Sequence, residues 1–101
     1  MQTQVTHVPD ASRFDLLVDG ERVGLLDYAR DGDTWALTHT EVDPSLGGRG
    51  LGATLVLGAL EAIDAEGGSV LPLCPFVPRV LRDHPEHLHL VPEAQRPRFG
   101  L

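Results

Sequence analysis

At Asp43-Pro44 the chain changes its hydrophobic period, and the joint between the two halves is the hexapeptide GGRGLG at residues 47–52. Before it the sequence reads as strands. RFDLLVDG and ERVGLLDYAR meet at Asp19-Gly20, a strong hairpin signal. Arg30-Asp31-Gly32-Asp33 marks a second turn, and TWALTHTEV follows, rich in β-branched and aromatic residues. With Gln4 to Val8, these segments predict an antiparallel meander of three or four strands. After the hexapeptide, Leu51, Leu55, Ala59 and Ile63 recur at a spacing of four, with Val56 and Leu60 beside them. That spacing predicts an amphipathic helix from Leu51 to Glu66, stopped by Gly67-Gly68. SVLPLC reads as a short buried strand ending at Cys74. FVPRVLRDH reads as a short helix with Pro78 in its first turn, where proline is tolerated. HLHLV is a candidate last strand, and the Pro/Arg-rich end beyond it reads as loose. A strand–helix–strand step after an antiparallel meander implies a parallel crossover, hence an α/β (α+β) mixed sheet.

What a glycine-rich joint can do follows from the backbone. Four glycines in six positions contribute no packing and carry the largest entropy cost. They stand where a strand hands over to a helix. The first turn of a helix has N–H groups without an internal partner, and the helix dipole is positive there. Bare backbone at that point can close around a pyrophosphate, and Arg49 can add a charged contact. No Lys-Ser/Thr follows, so the loop is not a Walker loop. An antiparallel meander precedes it, so it is not a dinucleotide fingerprint either. A plain tight turn before a helix is the other reading.

Charge narrows the ligand. The 101 residues carry a formal net charge of −7, a poor match for nucleic acid or an anionic membrane. Such a surface suits cationic small molecules or basic peptides. All eight basic residues are arginine, so no lysine can act as a base or form a Schiff base. The single cysteine excludes an internal disulfide. MQTQVTHVPDASRF lacks the pattern of a signal peptide, and no apolar run approaches 18 residues. The expectation is one cytoplasmic domain spanning residues 1–101.

The stretch EVDPSLGGRGLGATLVLGALEAIDAEG followed by VLPLCPFVPRVLRDHPE resembles the GNAT superfamily of N-acetyltransferases, in particular its small single-domain branch. The shared elements here are His39-Thr40-Glu41-Val42, the run Pro44 through Gly52, Pro72 through Phe76 with its P-x-C-x-F pattern, and His84-Pro85-Glu86. The resemblance spans roughly residues 12 to 91. It departs from the superfamily at Gly47, where Arg or Gln is common. It also lacks a tyrosine between residues 76 and 90; the one tyrosine is Tyr28.

The resemblance implies acetyl-CoA as cosubstrate, with no metal, and an amine acceptor. Gly47, Gly48, Arg49, Gly50, Leu51, Gly52 and Ala53 are then the pyrophosphate cradle. The pantetheine arm lies along the strand end, where the Val42 N–H can polarise the thioester carbonyl. Cys74 and Phe76 border the thioester; Cys74 can protonate the leaving thiolate, line the pocket or transiently accept the acetyl group. If pairing is regular, Trp35, Leu37, His39 and Glu41 share one strand face. His39 and Glu41 are the candidate bases for the attacking amine, and each is equally readable as an ordinary strand residue. Arg79 and Arg82, three apart on one helix, can meet a phosphate of CoA or pair with Asp83 or Glu86. His84, His87 and His89 raise a metal site, but Pro85 interrupts any helix that would align them. The resulting expectation is an N-acetyltransferase acting by direct attack in a ternary complex, as monomer or homodimer. A non-catalytic CoA-binding module is the alternative.

Overall fold

The computed structural model describes residues 1–101. Its elements are β1 (Thr3–Val8), β2 (Arg13–Val18), β3 (Glu21–Asp31), β4 (Thr34–Val42), α1 (Leu51–Ala65), β5 (Ser69–Pro72) and α2 (Phe76–Asp83). The five strands form one mixed sheet in the order β1-β2-β3-β4-β5. The first four pair antiparallel, and β5 joins β4 in parallel after the α1 crossover. The expected meander and crossover are both present.

Helix α1 lies on one face of this sheet. Its buried side chains are Leu51, Leu55, Val56, Ala59, Leu60 and Ile63, the set its spacing predicts. They pack on Phe14, Leu16, Leu26, Trp35, Leu37 and Val70, each fully or almost fully buried. Burying one such aliphatic side chain contributes roughly 1.5–3 kcal/mol, so this interface dominates the stability of the sheet–helix pair. Pro78 is buried in the first turn of α2, as expected.

The C-terminal segments differ from expectation. HLHLV forms no strand: Pro85–Leu90 is a 3₁₀ turn. Leu90 and Val91 instead bury themselves in the core. The Pro/Arg-rich end is not loose. Glu93–Phe99 forms a second 3₁₀ turn, and Phe99 and Leu101 pack against the core. The strand read in SVLPLC stops at Pro72, two residues before Cys74.

Candidate functional site: a split sheet edge beside a helix N-terminus

The pairing of β4 sets up the site. Its register with β3 slips between Asp27 and Tyr28: Asp27 faces His39, but Tyr28 faces Leu37. Thr38 is therefore an extra residue, a β-bulge. A bulge shifts the side-chain alternation by one. Trp35 and Leu37 point into the core and are fully buried. Beyond the bulge, Thr40 and Val42 take over that face, while His39 and Glu41 turn to the opposite one. The expected common face of Trp35, Leu37, His39 and Glu41 is thus corrected: the four residues divide two and two.

The bulge coincides with the end of β5. Only Thr34 to Leu37 of β4 pair with Ser69 to Pro72. Pro72 closes the ladder, and Leu73 folds back so that its N–H bonds the Leu71 carbonyl at 3.0 Å. The Cys74 N–H then caps the Leu37 carbonyl at 2.8 Å. Past this point β4 runs on with its β5-side edge unpaired. The Asp43 N–H donates to the Val23 carbonyl at 2.8 Å. By alternation along the strand, the N–H and C=O groups of Val42 and Thr40 face the open edge. The two strands splay because one carries a bulge and the other ends in proline.

The glycine loop faces this opening. Asp43 accepts from the Ser45 N–H at 2.9 Å and so caps the 3₁₀ turn Pro44–Leu46. That bond holds the Asp43 carboxyl below the usual carboxylate range. The chain then passes through Gly48 and Gly50, both at positive φ (80° and 69°), where a Cβ is strained. Gly50 is the N-cap of α1, and no side chain caps the helix. The first bond of α1 runs from the Thr54 N–H to the Gly50 carbonyl at 3.1 Å. The backbone N–H groups of residues 48–53 accordingly donate to no backbone acceptor. The first turn of α1 carries no acidic side chain, and Arg49 is exposed beside it. This is a concentrated patch of positive potential made of backbone.

Gly52 is glycine for another reason. A Cβ there would lie 2.9 Å from Phe76 Cζ, so the aromatic ring at the start of α2 is seated on the bare α1 backbone. The resulting cleft of about 420 Å³ is lined by Thr40, Val42, Leu46, the loop glycines, Ala53 and Phe76, whereas Arg49 lines a different cleft with Val18, Asp19 and Glu21. Thr40 Oγ1, on the wall of the Phe76 cleft, is buried and has no hydrogen-bond partner. An orphaned buried hydroxyl costs about 1–3 kcal/mol. Together with the free N–H groups, it fits an elongated ligand with a polar chain and a phosphate end. Thr40 stands in the shared His39-Thr40-Glu41-Val42 element, but the inward turn of its hydroxyl is set by the bulge, a tertiary feature.

A second cleft, of about 650 Å³, lies across β3 and β4 and is lined by Arg22, Leu25, Glu41 and Asp43 among others. It shares Thr40, Val42, Asp43 and Pro44 with the first. His39 Nε2 lies 3.2 Å from Glu41 Oε1, both side chains more than half exposed.

The remaining expected residues lie around this frame. Cys74 is buried at the apex of the split, 8% exposed. Arg79 and Arg82 are exposed on α2 and pair with neither Asp83 nor Glu86, because Glu86 meets His84 at 3.6 Å instead. His89 bonds Asp64 of α1 at 3.1 Å and the Glu86 carbonyl at 3.0 Å, so His84 and His89 both meet Glu86, one at its carboxylate and the other at its carbonyl. Tyr28 lies on the core face beside Trp35, with ring centroids 4.7 Å apart and a 2.7 Å hydrogen bond to His7. Burial pushes its hydroxyl above the usual phenol range. It pairs with Leu37, where β4 and β5 are still joined, and does not line the cleft.

The family model of GCN5-related N-acetyl-transferases matches residues 13–90. The chain belongs to this family. The match contains the bulged β4, the glycine loop, α1, β5 and α2, and so the whole split. Members of the family are acyltransferases that use acetyl-CoA as cosubstrate. No curated protein matches the chain. No helix is long and apolar enough to cross a membrane.

Proposed function

We propose that this chain is an N-acetyltransferase that moves an acetyl group from acetyl-CoA to an amine by direct attack in a ternary complex. The observation that carries the reading is the juxtaposition of the unpaired β4 edge with the free N–H groups of residues 48–53. Acetyl-CoA supplies the activated acyl group as a thioester. The N–H groups of Gly48 to Ala53 hold its pyrophosphate, with Arg49 adding charge. Thr40 and Val42 hold its amide arm through their edge-facing backbone groups, and Thr40 Oγ1 gains the partner it lacks. The Val42 N–H donates to the carbonyl oxygen as negative charge develops there.

The larger cleft takes the acceptor. Glu41 and Asp43 give it negative charge suited to an ammonium. His39 accepts the proton that the amine must lose before it attacks, and Glu41 holds the imidazole ring in place. Cys74, at the apex of the split, protonates the departing thiolate or lines its path. In this reading the protein is one cytoplasmic domain, as monomer or homodimer.

Incubation with acetyl-CoA and a panel of polyamines, arylamines and basic peptides, followed for thiol release, tests the reading. Acetylated amine and stoichiometric free CoA are expected for a cationic acceptor. Tight CoA binding in native mass spectrometry without thiol release from any amine would instead establish a non-catalytic CoA-binding module.

A further inference from the structure

The eight arginines divide sharply by partner. Arg13 and Arg22 meet Asp15, at 2.8 and 3.7 Å. Arg30 meets Glu66 at 3.6 Å and lies over the Trp35 ring. Arg96 donates to the Val91 carbonyl at 3.1 Å, and Arg98 stacks on Phe99. The three that remain, Arg49, Arg79 and Arg82, have no carboxylate within 4 Å and donate no hydrogen bond. This happens in a chain with 15 acidic residues.

Their positions are not scattered. Arg49 precedes the N-cap of α1. Phe76, which lines the cleft, is seated on Gly52 of α1. Arg79 is three residues on from Phe76, the next position along that side of α2. Arg82 follows three residues later, its guanidinium reaching the C-terminal turn, where a Cβ on Gly100 would sit 3.5 Å from Nη1. On α2 the buried residues are Val77, Pro78, Val80 and Leu81, which leaves Arg79 and Arg82 together on the solvent side. The backbone N–H groups at the start of α1 can satisfy one pyrophosphate. The two unpartnered guanidiniums of α2, about one and nearly two helix turns beyond Phe76, form a separate cationic pair of the kind that takes a terminal phosphate monoester.

We infer that Arg79 and Arg82 bind the 3′-phosphate of CoA, so that the protein distinguishes CoA from dephospho-CoA. The inference rests on the assignment of the cleft to acetyl-CoA. It adds a second phosphate site on α2, distinct from the backbone cradle. The phosphate monoester carries a charge of about −1.5 to −2, so two charge-assisted contacts give a large share of its recognition.

Calorimetric titration of the whole protein with CoA and with dephospho-CoA tests it. CoA should bind at least about tenfold more tightly, since one such contact corresponds to roughly that factor. In Arg79→Ala/Arg82→Ala the CoA affinity should fall to that of dephospho-CoA, whose own affinity changes little. Arg79→Lys/Arg82→Lys, which keeps charge, should retain part of the preference. Both residues are exposed, and circular dichroism should report an unchanged fold. Equal binding of the two ligands by the parent protein would overturn the inference and leave the acetyl-CoA assignment standing. So would a preference for CoA that survives the double alanine variant. Binding of neither ligand would overturn both.

Discussion

Gly52 separates two reasons for a glycine that the sequence cannot tell apart. Gly50 is required by its backbone angle, whereas Gly52 is required by the Phe76 ring 2.9 Å from where its Cβ would be. Gly52→Ala is therefore expected to cost about 1–3 kcal/mol through overpacking, and Phe76→Leu in the same chain should recover most of it. Denaturant melts of the two single variants and the double variant give the coupling; additive losses would show that Phe76 is not the obstacle. Gly50→Ala should cost about 1 kcal/mol with no rescue from position 76. His39 raises the opposite problem, a residue whose position fits chemistry but whose exposure asks little of the fold. His39→Ala should leave the melting temperature and CoA affinity near parent values. It should lower turnover by about 10²–10⁴-fold. Parent turnover in this variant would make His39 a surface strand residue and pass the proton to Glu41, water or the acceptor.

Between β4 and α1, the turn Pro44–Leu46 sets the direction of the glycine loop, and Asp43 holds that turn. The Asp43 carboxylate accepts the Ser45 N–H, which lowers its affinity for protons in the folded chain. A carboxyl depressed by folding contributes its bond above the ordinary aspartate range, and loses it as pH falls through the lowered folded value. The Ser45 amide should consequently shift in NMR with a midpoint below the ordinary aspartate value of about 3.9. Asp43→Ala should abolish that titration and weaken CoA binding, while Asp43→Asn keeps an acceptor and retains most of the affinity. An unshifted Ser45 amide across acid pH would show that the cap does not form. The element also shows why the sequence pattern alone misplaces the β4 face. Period-two alternation is a local rule, and TWALTHTEV carries no residue that announces a bulge. The insertion of Thr38 becomes visible only when Asp27 and Tyr28 pair across the ladder.

For the molecule as a whole, the split is a site whose walls come from β4, the glycine loop and α2, so a ligand there should tie them together. Acetyl-CoA at a hundredfold excess over its Kd should stabilise the fold by about 2.7 kcal/mol, read as a rise in the thermal midpoint. Gly48→Val should diminish that rise. A midpoint independent of acetyl-CoA would remove the ligand from this cleft. The order of strands and helix, the Asp19-Gly20 hairpin, the buried stripe of α1 and the position of the glycine loop were all legible in the sequence, because each depends on the period of nearby residues or on turn chemistry. The GNAT resemblance was carried by short motifs of the same local kind. Which face Thr40 and His39 occupy, why Gly52 is bare, where β5 ends and which arginines stay free of carboxylates were decided only by the tertiary structure. Each of these depends on contacts between residues far apart in the chain: Thr38 displaced against β3, Phe76 set on α1, Leu37 capped by Cys74, and Glu86 drawn to His84 while Arg82 reaches toward Gly100.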